Sequence, residues 1–98
     1  MRVFLDVTEE NIRTGERGQT DTCAVAQALC QRGFTNVSVG TTEVLAKKGG
    51  AELTATPSTA LKTFIKIFDG RVRKLPNGVK ASRKTLQPAT FRLDFTVA

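Results

Sequence analysis

The sequence predicts a single α+β domain over residues 1–98, with a small, mainly antiparallel sheet of three to five strands. Two longer helices are expected to pack on one face of this sheet, accompanied by one short helix. Arg2–Val7 and Phe91–Val97 alternate apolar and polar residues, as half-buried strands do. Asp21–Gly33 and Ser58–Gly70 carry apolar residues at helical spacing. A chain of 98 residues has room for one hydrophobic core.

The N-terminal part of the chain is predicted to form a strand followed by a short helix. The residues of the strand Arg2–Val7 that face the core are Val3, Leu5 and Val7. Thr8 is expected to be the N-cap of the helix, because its hydroxyl can accept a hydrogen bond from the first turn. Gly15 is predicted to end this helix, and Ile12 is expected to be its single buried residue.

Asp21–Gly33 is the strongest helical segment of the sequence. Asp21 or Thr20 is expected to cap its first turn, and Gly33 is expected to supply the left-handed residue at its end. Phe34 is expected to fold back onto the last turn of the helix. The residues predicted to form its buried stripe are Cys23, Val25, Ala26, Leu29, Cys30 and Gly33.

Cys23 and Cys30 are expected to be reduced and buried, as free cysteines usually are. Seven residues along a helix rise about 10.5 Å, whereas the Cα atoms of a disulfide lie within about 7 Å of one another. A disulfide within this helix is therefore excluded. The chain contains no histidine, and two cysteines fall short of the four ligands that a structural zinc site uses. No metal or other cofactor is expected.

The middle of the chain is predicted to supply further strands. Val37 and Val39 alternate with polar residues in Thr35–Gly40, and Thr41–Lys48 can pair back on that strand. Ala51–Thr56 is predicted to be a short edge strand, although alanine and glutamate are weak strand formers.

The last third of the chain is predicted to contain the second long helix and the final strand. Ser58 is expected to cap the helix and Gly70 to end it. The apolar stripe of this helix consists of Leu61, Phe64, Ile65 and Phe68. The final strand Phe91–Val97 is expected to pair with Arg2–Val7, because the two segments alternate in the same way. Its inward residues are predicted to be Phe91, Leu93, Phe95 and Val97.

The net charge of +6 arises in one segment of the chain. Six basic residues lie between Gly70 and Gln87 with no acidic residue among them, while the remaining nine basic residues are balanced by nine acidic ones. These six residues are Arg71, Arg73, Lys74, Lys80, Arg83 and Lys84. Pro76-Asn77-Gly78 predicts a turn, so residues 71–88 are expected to form either a basic hairpin or a mobile loop.

This basic segment is the best candidate for a partner-binding site. Its cations would attract the phosphates of a nucleic acid or an acidic protein surface. The segment contains no aromatic side chain on which a base could stack. A solvated charged loop with no partner is consistent with the same residues.

No arrangement of residues in the sequence indicates catalysis, and a non-enzymatic protein is expected. Without histidine, the usual general base beside a serine or cysteine nucleophile is missing. Cys23, near a helix N-terminus, is a weak candidate nucleophile. Asp6 and Asp94 could form a carboxylate pair on the solvent face of adjacent strands, where Arg2 or Arg92 is expected to balance them.

Two parts of the chain resemble small proteins of unknown function that are encoded by bacteriophages and prophages. VTEENIRTGERG at 7–18 and DTCAVAQALC at 21–30 resemble their N-terminal half, in which VT-x-x-x-I-x-x-G-x-R-G precedes a C-x-V-A-x-A-L helix. TFIKIFDG at 63–70, with Pro88, Phe91 and Phe95, resembles their C-terminal half. The chain departs from the pattern in the long basic segment that precedes Pro88. The pattern carries no catalytic residues.

The resemblance implies a small accessory protein of a phage or mobile element. The N-terminus MRVFLDV is too short and too soon acidic for a signal peptide, so a location in the cytoplasm of the bacterial host is expected. Such accessory proteins often bind and block a host component, as anti-CRISPR proteins do. The leading hypothesis is therefore an inhibitor that binds a host protein or ribonucleoprotein, such as a CRISPR–Cas or other defence component, through the basic segment. The alternative is a nucleic-acid-binding protein that uses residues 71–84 on phosphates. The sequence contains no apolar run of the roughly 20 residues that a membrane span needs.

Overall fold

The structure is a computed structural model that describes residues 1–98. The strands are β1 (Arg2–Val7), β2 (Thr35–Val39), β3 (Val44–Lys48), β4 (Ala51–Ala55), β5 (Ala89–Asp94) and β6 (Thr96–Val97). The helices are α1 (Glu9–Thr14), α2 (Ala24–Gln31) and α3 (Thr59–Phe68), and one 3₁₀ turn spans Arg83–Thr85. The predicted α+β class is confirmed.

The strands form two antiparallel sheets instead of the single sheet that was predicted. One sheet pairs β1 with β5, and the other has the order β2-β3-β4-β6. The predicted pairing of the first and last strands is confirmed, with Val3 opposite Leu93 and Leu5 opposite Phe91. All four of these side chains are buried, because alternate residues of both strands face the core.

The C-terminal segment passes from one sheet to the other at Phe95. This residue lies between β5 and β6, and its N–H donates to the carbonyl oxygen of Met1 at 2.8 Å. Immediately after it, Thr96 pairs with Thr54 of β4. The prediction that Val97 points inward is wrong, since its side chain is 77% exposed. β6 is a two-residue edge strand that pairs with β4 on one side and has no strand on the other.

β4 is an internal strand, and the prediction of an edge strand at Ala51–Thr56 is wrong. It pairs with β3 along its whole length and with β6 at Leu53 and Thr54. The low strand propensity of its alanines and glutamate is outweighed by ladder hydrogen bonds on both sides and by the burial of Leu53 and Ala55.

α1 begins and ends where the sequence predicts. The Thr8 hydroxyl accepts the Asn11 N–H at 3.2 Å, and Gly15 follows the last turn. Ile12 is buried as expected but is not the only buried residue, because Asn11 is fully buried beside it. The Asn11 side-chain oxygen accepts the Thr8 N–H at 3.0 Å, and its amide donates to Gln31 of α2 at 3.3 Å. Burial of this amide is tolerated because both of its polar atoms are bonded.

α2 begins later than predicted, with Cys23 as the N-cap in place of Asp21 or Thr20. Tertiary hydrogen bonds hold the preceding residues outside the helix. The Thr20 carbonyl accepts the Val39 N–H at 2.8 Å, and the Thr22 carbonyl accepts the Glu16 N–H at 2.9 Å. These two contacts with residues outside the helix outweigh the local capping preference of the aspartate.

The buried face of α2 differs from the predicted stripe at one end. Cys23 is buried as predicted, but Cys30 and Gly33 of the predicted stripe are exposed, and both thiols are free. At 3.6 residues per turn the buried face is centred on Val25 and Leu29, which leaves Cys30 on the far side of the helix. The predicted helix end is confirmed, because Gly33 has a φ of +89° and the Phe34 N–H donates to the Leu29 carbonyl at 3.2 Å.

α3 agrees with its prediction. The Ser58 hydroxyl accepts the Leu61 N–H at 3.2 Å, and the predicted stripe is buried. The ring of Phe64 meets that of Phe91 edge-on, with centroids 5.1 Å apart, so α3 packs against the inner face of the β1–β5 sheet. None of the helices combines the length and the apolar character that crossing a membrane would need.

Candidate functional site

The basic segment is built around a tight turn rather than around two paired strands. The Gly78 N–H donates to the Leu75 carbonyl at 2.9 Å, with Pro76 and Asn77 as the central residues of the turn. A single β-bridge pairs Lys74 with Lys80 behind this turn. The Leu75 N–H donates to the Val79 carbonyl, and the Ala81 N–H donates to the Arg73 carbonyl, each at 2.8 Å. These two hydrogen bonds extend the pairing on both sides of the bridge. The turn thus brings the two halves of the segment side by side.

Arg83 is held by the body of the protein, unlike the other cations of the segment. Its guanidinium donates to the carbonyl oxygens of Ile12 at 2.7 Å, Arg13 at 2.6 Å and Gly15 at 2.6 Å. It also lies over the ring of Phe68, with its central carbon 4.8 Å from the ring centroid. These carbonyls belong to the C-terminal end of α1, where a positive charge is favoured by the helix dipole. The site prediction gave Arg83 a partner-contact role, and in the structure three of its five N–H donors are engaged by the fold.

The other five cations of the segment are exposed. None of them takes part in the four ion pairs of the structure, and no side-chain hydrogen bond holds them. These residues, called the basic cluster below, are Arg71, Arg73, Lys74, Lys80 and Lys84. Their charge is therefore not neutralised within the protein.

A groove of about 460 Å³ runs along one side of the turn, and it contains a cation that sequence analysis missed. Its charged lining residues are Arg17, Arg73, Lys74 and Lys80, and none of its lining residues is acidic. Arg17 comes from the loop after α1, more than fifty residues away along the chain. The sequence signals for this arginine are its polar loop, GERG, and its place as the R of the pattern VT-x-x-x-I-x-x-G-x-R-G, and neither indicates which residues lie beside it.

Two contacts position Arg17 at the groove. Its Nε donates to the Phe68 carbonyl at 3.3 Å, and the next residue, Gly18, donates its N–H to the Asp69 carboxylate at 3.0 Å. Gly70 lies beneath the guanidinium, with a φ of +75° that favours glycine. The end of α3 thus fixes both the loop that carries Arg17 and the start of the basic segment.

Cys23 is poorly suited to nucleophilic chemistry. Burial raises the pKa of its thiol above the ordinary value, and the nearby backbone N–H groups of Ala26 and Val25 oppose this shift only in part. A thiol with a raised pKa is mostly protonated near neutral pH, and the protonated form is the weaker nucleophile.

Asp6 and Asp94 lie on the exposed face of the β1–β5 sheet but do not form a pair. Asp6 stands opposite Thr90, and Asp94 stands opposite Arg2, so the two carboxylates are four residues apart in register. Hydrogen bonds from Arg92 and then Arg2 hold the pKa of Asp94 below its ordinary value. Nowhere do three or more His, Cys, Asp or Glu side chains gather into a group that could hold a metal ion.

Comparison of the chain with protein-family models, with curated proteins and with solved structures finds no match.

Proposed function

We propose that this chain is a non-enzymatic accessory protein of a phage or mobile element that binds and inhibits a host ribonucleoprotein or protein, such as a CRISPR–Cas or other defence component. The basic cluster, together with Arg17, is its contact surface. The observation that carries this proposal is the exposure of five unpaired cations within one segment, three of them on the turn and the other two, Arg71 and Lys84, on either side of it. The inhibitory role rests on the resemblance of the chain to phage-encoded accessory proteins.

The electrostatics of the turn support a binding role. Cations that lie close together without acidic neighbours repel one another, and an anionic partner removes this repulsion on binding. Val79 adds an apolar side chain, 54% exposed, beside Lys80 near the tip of the turn. Charged residues around a small apolar contact are a composition that protein–protein interfaces use.

A second candidate function is direct binding of free nucleic acid. The absence of any carboxylate from the groove favours it, since phosphate backbones are bound by surfaces of one charge sign. This candidate predicts affinity that falls steeply with salt. An interface with an apolar centre is less sensitive to salt.

Affinity capture from a bacterial host lysate tests the proposal. The five residues of the basic cluster are replaced together by glutamine, while Arg83 is left intact because it holds the fold. A matched control removes the same charge at positions outside the basic cluster and the groove, namely Arg2, Lys47, Lys62, Lys66 and Arg92. We expect the wild type and the control to capture a discrete protein or ribonucleoprotein, and we expect the cluster variant to lose it.

The outcomes of this capture separate the candidate functions. A protein component that stays bound after nuclease treatment and is absent from the cluster variant supports the proposal. Recovery of nucleic acid alone, released by salt, supports direct nucleic-acid binding instead. Equal capture by the cluster variant and the wild type would contradict both.

A further inference from the structure

We propose that the groove binds the sugar–phosphate backbone of a nucleic acid, so that the RNA of a ribonucleoprotein is the part of the partner that this protein contacts. This inference rests on the proposed function and narrows it to one class of ligand. The groove is the surface bounded by Arg17, Gly70, Arg73, Lys74, Lys80, Ala81 and Ser82.

The orientation of Arg17 is the first argument. Its Nε is already used on the Phe68 carbonyl, and neither of its two terminal nitrogens has a hydrogen-bond partner in the protein. A guanidinium that is fixed in this way presents two donors at its free end, and two donors match the two oxygens of a phosphodiester. Because the side chain is held before the ligand arrives, less rotamer entropy is lost on binding.

The distribution of charge is the second argument. Arg17 comes from one segment, whereas Arg73, Lys74 and Lys80 come from the turn, so cations from two distant parts of the chain meet at one groove. A chain of phosphates lying in the groove would contact several of them in succession. Contacts of this kind are independent of sequence, because they involve the backbone of the nucleic acid and not its bases.

The lining of the groove argues against an acidic protein surface as the ligand. Its only hydrophobic lining residue is Ala81, whereas protein interfaces are built around a larger apolar centre. No aromatic side chain lines the groove, so base stacking is not part of the binding. The groove therefore fits phosphates in preference to carboxylates or bases.

Fluorescence anisotropy with the purified full chain tests this inference. The probes are a labelled single-stranded RNA of about 12 nucleotides, within the size range that single-strand-binding sites cover, and a labelled polyglutamate peptide of equal charge. We expect the RNA to bind at least about tenfold more tightly than the peptide. For four phosphate contacts the logarithm of the affinity should fall with the logarithm of the salt concentration with a slope of about −3.

Three variants locate the binding within the groove. Arg17→Gln and Lys80→Gln are each expected to weaken RNA binding roughly fivefold and to reduce the magnitude of the salt slope by about 0.7. Lys80 is exposed and makes no side-chain hydrogen bond, so its replacement keeps the test valid if loss of Arg17 disturbs the fold. Lys62→Gln removes the same charge from α3 outside the groove, and we expect it to leave the affinity nearly unchanged.

Equal or tighter binding of polyglutamate would overturn the inference, as would equal weakening by the Lys62 control. Combined with the lysate capture, this experiment distinguishes a failure of the phosphate inference from a failure of the proposed function. If RNA does not bind but the cluster variant still loses a captured protein in nuclease-treated lysate, the phosphate assignment is wrong and the proposed function stands. If RNA does not bind and that capture is also unaffected, both are wrong.

Discussion

Replacing Phe95 by alanine is expected to lower the free energy of unfolding by about 3–5 kcal/mol, the range typical of large-to-small substitutions at buried aromatic positions. Phe95 is almost fully buried at the point where the C-terminal segment passes between the two sheets. Its ring stacks on that of Phe34, with centroids 5.2 Å apart. Alanine would leave a cavity between the end of α2 and both sheets.

Urea unfolding followed by circular dichroism measures this effect. A total stability of about 5–15 kcal/mol is usual for a domain, so the loss should shift the transition midpoint markedly. Val97→Ala is the matched control, because it removes an apolar side chain two residues away that is 77% exposed. We expect the control to change stability by less than about 0.5 kcal/mol. A Phe95→Ala variant as stable as the control would contradict the described packing.

Replacing Arg83 by alanine is expected to lower the free energy of unfolding by about 2–3 kcal/mol, within the range for hydrogen bonds to charged groups. The substitution removes three hydrogen bonds to the carbonyls of Ile12, Arg13 and Gly15, and the stacking on Phe68. Arg83→Lys should not restore stability, because an ammonium group cannot reproduce the planar fork of the guanidinium.

Lys84→Ala is the control for Arg83, since it removes the adjacent charge from an exposed side chain without a partner. Urea unfolding of Arg83→Ala, Arg83→Lys and Lys84→Ala measures the change in the free energy of unfolding for each variant. If Arg83→Ala and Lys84→Ala have the same small effect, Arg83 is an ordinary exposed cation and its assignment to the fold is wrong. A loss confined to Arg83 confirms that this residue anchors the basic segment to α1.

Sequence patterns within a segment predict its secondary structure well where interactions inside that segment determine it. The alternation of β1 and β5 and the hydroxyl caps at Thr8 and Ser58 are of this kind. The start of α2 could not be predicted in the same way. Hydrogen bonds from Val39 and Glu16 hold the residues before Cys23 out of the helix, and both donors come from outside that segment.

The two sheets were not predictable for a related reason. Nothing in the run Phe91–Val97 marks Phe95 as the residue where pairing changes from β1 to β4. The alternation continues unbroken through it, so the sequence indicates one strand. The change of partner depends on where β4 lies, which is a property of the whole fold.

Composition alone locates the basic segment, but it cannot assign roles to individual cations within it. Arg83 has the same charge as Arg73, yet only the packing of α1 and Phe68 beside it gives it a place in the fold. Conversely, Arg17 stands in a loop of mixed charge and joins the groove only because the end of α3 holds it there. Both assignments require the tertiary structure.

The most direct test of the account is a lysine-acetylation footprint of the chain, alone and bound to its captured partner, read by mass spectrometry. It needs no substitution and therefore leaves the fold intact. We predict that Lys74, Lys80 and Lys84 become protected in the complex, whereas Lys47 and Lys62 stay as reactive as in the free protein. Unchanged reactivity of all three basic-cluster lysines, with protection elsewhere, would contradict the claim that the basic cluster is the contact surface.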